Sequence, residues 1–104
     1  MEIAPEELKT KLDRGEELVL IDVREPEEYA ICKIDGAKLV PMREFPARIH
    51  ELNPEDSIVV FCHHGGRSAQ VAFWLNKQGF QKVENLQGGI DTWAESIDPT
   101  MARY

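Results

Sequence analysis

The sequence predicts an α/β fold, with a parallel sheet covered by helices on both faces, and two features predict it. Short runs of apolar and β-branched residues alternate with stretches of helical pattern along the chain, the arrangement of successive strand and helix units. The runs are apolar throughout rather than alternately apolar and polar, which suits strands buried on both faces and not an open antiparallel sheet. At 104 residues the chain has the size of one domain, so residues 1–104 are read as one unit with 98–104 as an extended tail.

Each element follows from local chemistry. Pro5, Glu6 and Glu7 suit the first turn of a helix, where a proline loses no hydrogen bond and carboxylates face the positive end of the dipole. That helix covers 5–13 and stops at Gly15. LVLIDV (18–23) is a buried strand, and the polar turn REPEE leads into a short helix ending near Ile31. AKLVP (37–41) is a second strand, stopped by Pro41. REFPARIHEL (43–52) reads as a helix with Phe45, Ile49 and Leu52 on one side and Pro46 tolerated in its first turn. SIVVF (57–61) is the clearest strand, and RSAQVAFWLNKQGF (67–80) the clearest helix, with Ala69, Ala72, Phe73 and Leu75 expected to face the sheet. KVENL (82–86) and GGIDTWAESI (88–97) complete the pattern as a last strand and a last helix.

Composition excludes several functions. Twelve Lys and Arg against 19 Asp and Glu give a formal charge of -7, which leaves no broad basic face for nucleic-acid phosphates. No apolar stretch approaches the roughly 20 residues that cross a bilayer, and MEIAPEELKTKLDRGEE lacks the basic-then-apolar layout of a secretion signal. Neither nucleic acid nor membrane is expected as a partner, and the cytoplasm is the expected location. Cys62, His63 and His64 lack the paired spacings of familiar zinc sites, so no metal is expected. The run EPEE (25–28) reads as a solvated helix start, and Trp74 and Trp93 as packing residues.

The chemistry concentrates in FCHHGGRS, residues 61–68. Cys62 ends a strand and a helix begins near Arg67 or Ser68, so the loop occupies the crevice where parallel sheets bind ligands. Gly65 and Gly66 allow a tight bend that aims successive N–H groups at the sulfur, and the helix start adds its own unpaired N–H groups. Such a cradle, His63 to Ser68, favours an anion, lowers the pKa of the Cys62 thiol and so supplies the thiolate that attacks. Arg67 adds a permanent positive charge suited to an anionic substrate. His63 and His64 can move protons near neutrality, and the sequence assigns neither a role. Cys32 has no such surroundings and reads as a structural thiol.

This loop resembles the active-site loop of rhodanese-like sulfurtransferases, C-x-x-G-x-R-[S/A], through Cys62, Gly65, Arg67 and Ser68. LVLIDVREPEEY, IDGAKLVP and VENLQGGIDTW resemble that family's D-V-R-x-x-x-E-[YF], I-P-G-A-x-x-[IL]-P and V-x-x-L-x-G-G-x-x-x-W stretches, in the same order. The resemblance implies the rhodanese fold, a persulfide on Cys62 and no cofactor. It also implies transfer of sulfane sulfur from a small anionic donor such as thiosulfate to a thiol, cyanide or ubiquitin-like sulfur-carrier acceptor. Asp22 and Arg24 are expected as scaffold around the pocket. Cys32 and Lys33 stand where many members have Gly-His, and Asp35 where a proline is usual. With the ending GGIDTWAESIDPTMARY, this looks more like the rhodanese domain fused to ubiquitin-activating-like adenylyltransferases.

Two rival readings differ in chemistry. A non-catalytic rhodanese-like module would bind a partner without taking up sulfur and would tolerate loss of Cys62. A phosphatase of the Cdc twenty-five type, or an arsenate reductase, would need a wider loop. Those phosphatases place five residues between cysteine and arginine, whereas four separate Cys62 from Arg67.

Overall fold

The computed structural model describes residues 1–104, with five parallel strands in one sheet, in the spatial order Glu2–Ile3, Val83–Leu86, Ile58–Phe61, Val19–Asp22, Lys38–Leu39. In chain order the main elements are β1 (Glu2–Ile3), α1 (Pro5–Asp13), β2 (Val19–Asp22), α2 (Pro26–Ile31) and β3 (Lys38–Leu39). They are followed by α3 (Phe45–Arg48), β4 (Ile58–Phe61), α4 (Gly66–Lys77), β5 (Val83–Leu86) and α5 (Gly89–Ser96). β4 lies in the middle of the sheet, in register with β2 from Val19↔Ile58 to Asp22↔Phe61.

Helices cover both faces, and side-chain alternation along the strands divides the core accordingly. Ile21, Ile58 and Val60 pack with Phe45, Val71, Ala72 and Leu75 beneath α3 and α4. Leu20, Val59 and Phe61 pack with Leu8, Ile90 and Trp93 beneath α1 and α5. Trp93 is thus core, while the half-buried Trp74 meets Phe45 edge-on.

Two expectations change and one element is new. Residues 43–52 do not form one helix. Pro46 has no N–H to give Met42, so a 3-10 turn (Met42–Glu44) precedes the single turn of α3 and another (Ile49–Glu51) follows it. Phe45, Ile49 and Leu52 nevertheless pack against one cluster. The buried face of α4 is Ser68, Val71, Ala72 and Leu75, with Ala69 and Phe73 exposed. Finally, the first residues include an edge strand, β1, paired with β5 through Glu2↔Asn85 and Ile3↔Leu86. No helix is long and apolar enough to cross a membrane.

Candidate active site

The end of β4 delivers Cys62 into the crevice under the start of α4, because Cys62 continues the parity of Ile58 and Val60 and joins their cluster. The chain then turns sharply at Gly65, whose φ of 111° would strain any residue with a Cβ, and α4 begins at Gly66. The loop is anchored from below by α5. The N–H of Ile90 donates to the Cys62 carbonyl at 2.9 Å and that of Asp91 to the His63 carbonyl at 3.0 Å. That approach requires Gly89, where a Cβ would fall 2.4 Å from the His63 carbonyl oxygen and 2.6 Å from that of Cys62. With these carbonyls held downward, the following N–H groups turn toward the sulfur.

Three donors reach Cys62 Sγ: the Gly65 N–H at 3.1 Å, the Ser68 N–H at 3.4 Å and the Ser68 hydroxyl at 3.3 Å. Burial pushes the thiol pKa up, but the Ser68 hydroxyl and the N–H groups of Ser68, Gly65 and Arg67 outweigh it, and the net shift is downward. Cys62 is 1% exposed, so its negative charge is held by protein donors with little help from water. Ser68 has a single hydroxyl proton and two acceptors, since its Oγ also lies 2.5 Å from Asn85 Oδ1. The proton therefore goes to Asn85 beside a neutral thiol and to the sulfur beside a thiolate. Asn85 is itself fixed, its amide donating to the Gly65 carbonyl at 3.1 Å and to the Glu2 carboxylate at 3.2 Å.

Around this ring lies a charged network. Arg67 does not stand free over the loop: its guanidinium grips Glu28 with two bonds of 2.7 and 2.9 Å. Arg67, through this bond, holds the Glu28 carboxyl at about 2, well below its ordinary value. Glu28 thus belongs to the site's surroundings, and EPEE is more than a solvated helix start. The donors aimed at the sulfur are backbone N–H groups and one hydroxyl, with the arginine charge already matched.

Asp22 and Arg24 form a fully buried pair, 2.7 Å apart at Nη2 and Oδ2. A buried guanidinium is tolerated only when its donors are used. All five N–H positions of Arg24 have acceptors, which are Asp22, the carbonyls of Glu28 and Cys32, and the Tyr104 hydroxyl. Arg24 lies over the Phe61 ring, on the face opposite Cys62. The pair braces the end of β2 and does not touch the sulfur.

His63 and His64 stack on each other, with centroids 3.9 Å apart and planes inclined by 26°. Asp91 faces both, 4.0 Å from His63 Nε2 and 3.6 Å from His64 Nε2. Burial and the neighbouring His64 disfavour the proton on His63, against the pull of Asp91. The three ligand atoms lie within 4.8 Å of one another. A metal, however, must sit in the plane of each imidazole about 2.1 Å from its nitrogen. Rings stacked this closely do not share such a point, and Arg103 already holds Asp91 at 2.9 Å.

The model of the rhodanese-like domain matches residues 4–96. The chain belongs to the rhodanese-like family. It is 38% identical to a sulfurtransferase of Allochromatium vinosum, over 97% of this chain and 94% of that one. It is 40% identical to a Mycobacterium tuberculosis protein named "Probable adenylyltransferase/sulfurtransferase MoeZ", over 98% of this chain and 26% of that protein. The rhodanese-like domain protein of Staphylococcus aureus, a solved structure, superposes with a TM-score of 0.83 at 35% identity, covering 89% of this chain and 91% of that one. The chain spans about a quarter to a half of the length of several curated relatives it matches. Single-domain members and fusion proteins thus both occur among its relatives.

For this rhodanese-like domain, sequence reasoning brought Cys62, Gly65, Gly66, Arg67 and Ser68 to one place, and the structure puts them there. It missed Glu28, Asn85, Asp91 and Tyr104. Asn85 carried a signal, being an amide within an otherwise buried strand. Tyr104 carried none, because its partners are Arg24 and Glu28, far away in sequence. The stretch 98–104 adds no helix or strand and brings Tyr104 onto the His63 ring, 3.9 Å between centroids.

Proposed function

We propose that this protein is a sulfurtransferase that carries sulfane sulfur as a persulfide on Cys62. The thiolate attacks the outer sulfur of a small anionic donor such as thiosulfate. A Cys62–S bond forms, the S–S bond of the donor breaks, and sulfite leaves with the electron pair. An acceptor nucleophile, cyanide or a thiolate including one on a sulfur-carrier protein, then attacks the terminal sulfur, the S–S bond to Cys62 breaks, and the Cys62 thiolate leaves with the electron pair. Negative charge stays at one spot in both half-reactions, where preorganised donors stabilise it. Residues 63–68 supply that cradle, and Asp22 and Arg24 brace it from the neighbouring strand. We place the reaction in the reducing cytoplasm, where Cys62 escapes disulfide formation.

The observation that carries this reading is the convergence of the Gly65 N–H, the Ser68 N–H and the Ser68 hydroxyl on a nearly inaccessible sulfur. Similarity to a sulfurtransferase of nearly the same length supports it. The test is the intact mass of reduced protein before and after thiosulfate. Wild type and Cys32→Ala should gain one sulfur atom that cyanide removes, and Cys62→Ser should gain none. No gain in wild type, or a gain that persists in Cys62→Ser, would overturn the proposal.

A further inference from the structure

Tyr104 makes more contacts with the surroundings of Cys62 than packing requires. Its hydroxyl accepts from Arg24 Nη1 at 3.1 Å and donates to Glu28 Oε2 at 2.7 Å. Glu28 in turn holds Arg67, whose own N–H is among the groups that lower the Cys62 pKa. The phenol therefore joins the buried Asp22–Arg24 pair of β2 to the Glu28–Arg67 pair that anchors the start of α4. Its ring lies flat on His63, 3.9 Å between centroids and inclined by only 11°, with His64 stacked on the other side of His63. The preceding residue reinforces this, as Arg103 binds Asp91 at 2.9 Å, and Asp91 faces both histidines.

We propose that Tyr104 is a positioning residue for the Cys62 loop, holding Arg67 through Glu28 and His63 through its ring so that the donors stay aimed at the sulfur. The proposal rests on the sulfurtransferase reading for its turnover arm alone. The phenol remains protonated at every working pH, since burial and Glu28 push its pKa up to about 12 against the opposing pull of Arg24. It thus donates to Glu28 while accepting from Arg24, a pairing that neither phenylalanine nor a charged residue reproduces. Tyr104 is 40% exposed, which makes substitutions there compatible with folding.

Two variants separate hydroxyl from ring: Tyr104→Phe removes the bonds to Arg24 and Glu28 and keeps the stack, and Tyr104→Ala removes both. In the full chain with thiosulfate and cyanide, kcat should fall about 3-fold in Tyr104→Phe and about 10-fold in Tyr104→Ala. Tyr104 acts on the sulfur only through Glu28 and His63, so a fraction of the two lost hydrogen bonds and of the lost aromatic contact sets that order of magnitude. KM for thiosulfate should stay within 2-fold. The pH midpoint for alkylation of Cys62 by iodoacetamide, followed by mass, should move upward in the same order. Turnover and midpoint both unchanged in Tyr104→Ala would overturn the assignment, as would a change confined to KM. If wild type takes up no sulfur, the sulfurtransferase reading fails on that result, and the alkylation midpoints still decide the role of Tyr104.

Discussion

The two cysteines each lie close to an arginine, yet their surroundings differ in kind. Cys32 leaves the end of α2 in extended backbone, half-buried, and its sulfur receives one long contact, 3.8 Å from Arg24 Nη1. That guanidinium has already committed its N–H groups to Asp22, two carbonyls and Tyr104. Cys62 also has a matched arginine nearby, Arg67, but its sulfur receives three aimed donors. A cation in the vicinity is common to both thiols and does not distinguish them. Convergent N–H groups do, and they converge because Gly65 takes a left-handed φ of 111° and Gly89 lets backbone approach where a side chain would block it.

The sharpest way to break this contrast is at the floor of the loop. Gly89→Ala places a Cβ against the Cys62 and His63 carbonyls at a backbone φ of 64°. It should cost about 2–4 kcal/mol of stability, read by denaturant unfolding, from overpacking and a left-handed non-glycine residue together. Reactivity at Cys62 should fall toward that of Cys32 in the same variant. Next comes Ser68→Ala, which removes one of the three donors and leaves Asn85 Oδ1 without its partner. Sulfur uptake at neutral pH should slow about 10- to 100-fold, the worth of one hydrogen bond to a buried charge.

A smaller effect falls on the network rather than the sulfur. Because Glu28 is held at about 2 by Arg67, its contribution to stability is complete above its ordinary pKa and is lost as pH falls toward 2. Glu28→Gln should flatten the acid unfolding profile over that window, measured by circular dichroism, and lower stability at neutral pH while changing little at the acid end. Cys32→Ala should do least, leaving sulfur uptake unchanged and altering stability by under about 1.5 kcal/mol, as for a half-buried residue losing little volume.

The same contrast marks what was legible in the sequence. Strand β4, the glycines and the start of α4 are adjacent in the chain, so apolar patterning and loop chemistry sufficed to assemble the cradle around Cys62. Interactions that close over long separations were not legible: β1 is two residues long and acquires meaning only beside Asn85 and Leu86. Glu28 looked like one carboxylate among several until Arg67 and Tyr104 reached it from other parts of the chain. On α4, Ala72 and Leu75 face the sheet as the pattern indicates, but Phe73 and Ala69 invite burial by composition while the helix phase that brings Ser68 to the sulfur turns them outward. A cysteine loop declares itself locally, whereas the groups that brace it do not.

The most direct test of the central claim is the rate of iodoacetamide alkylation of Cys62 and Cys32, resolved by peptide mass, across a pH series in the reduced wild type. A midpoint for Cys62 below that of an ordinary thiol is the predicted result, since the ring of donors stabilises its thiolate. A Cys62 midpoint at or above the ordinary value would contradict the account, because burial would then have outweighed the donors aimed at the sulfur.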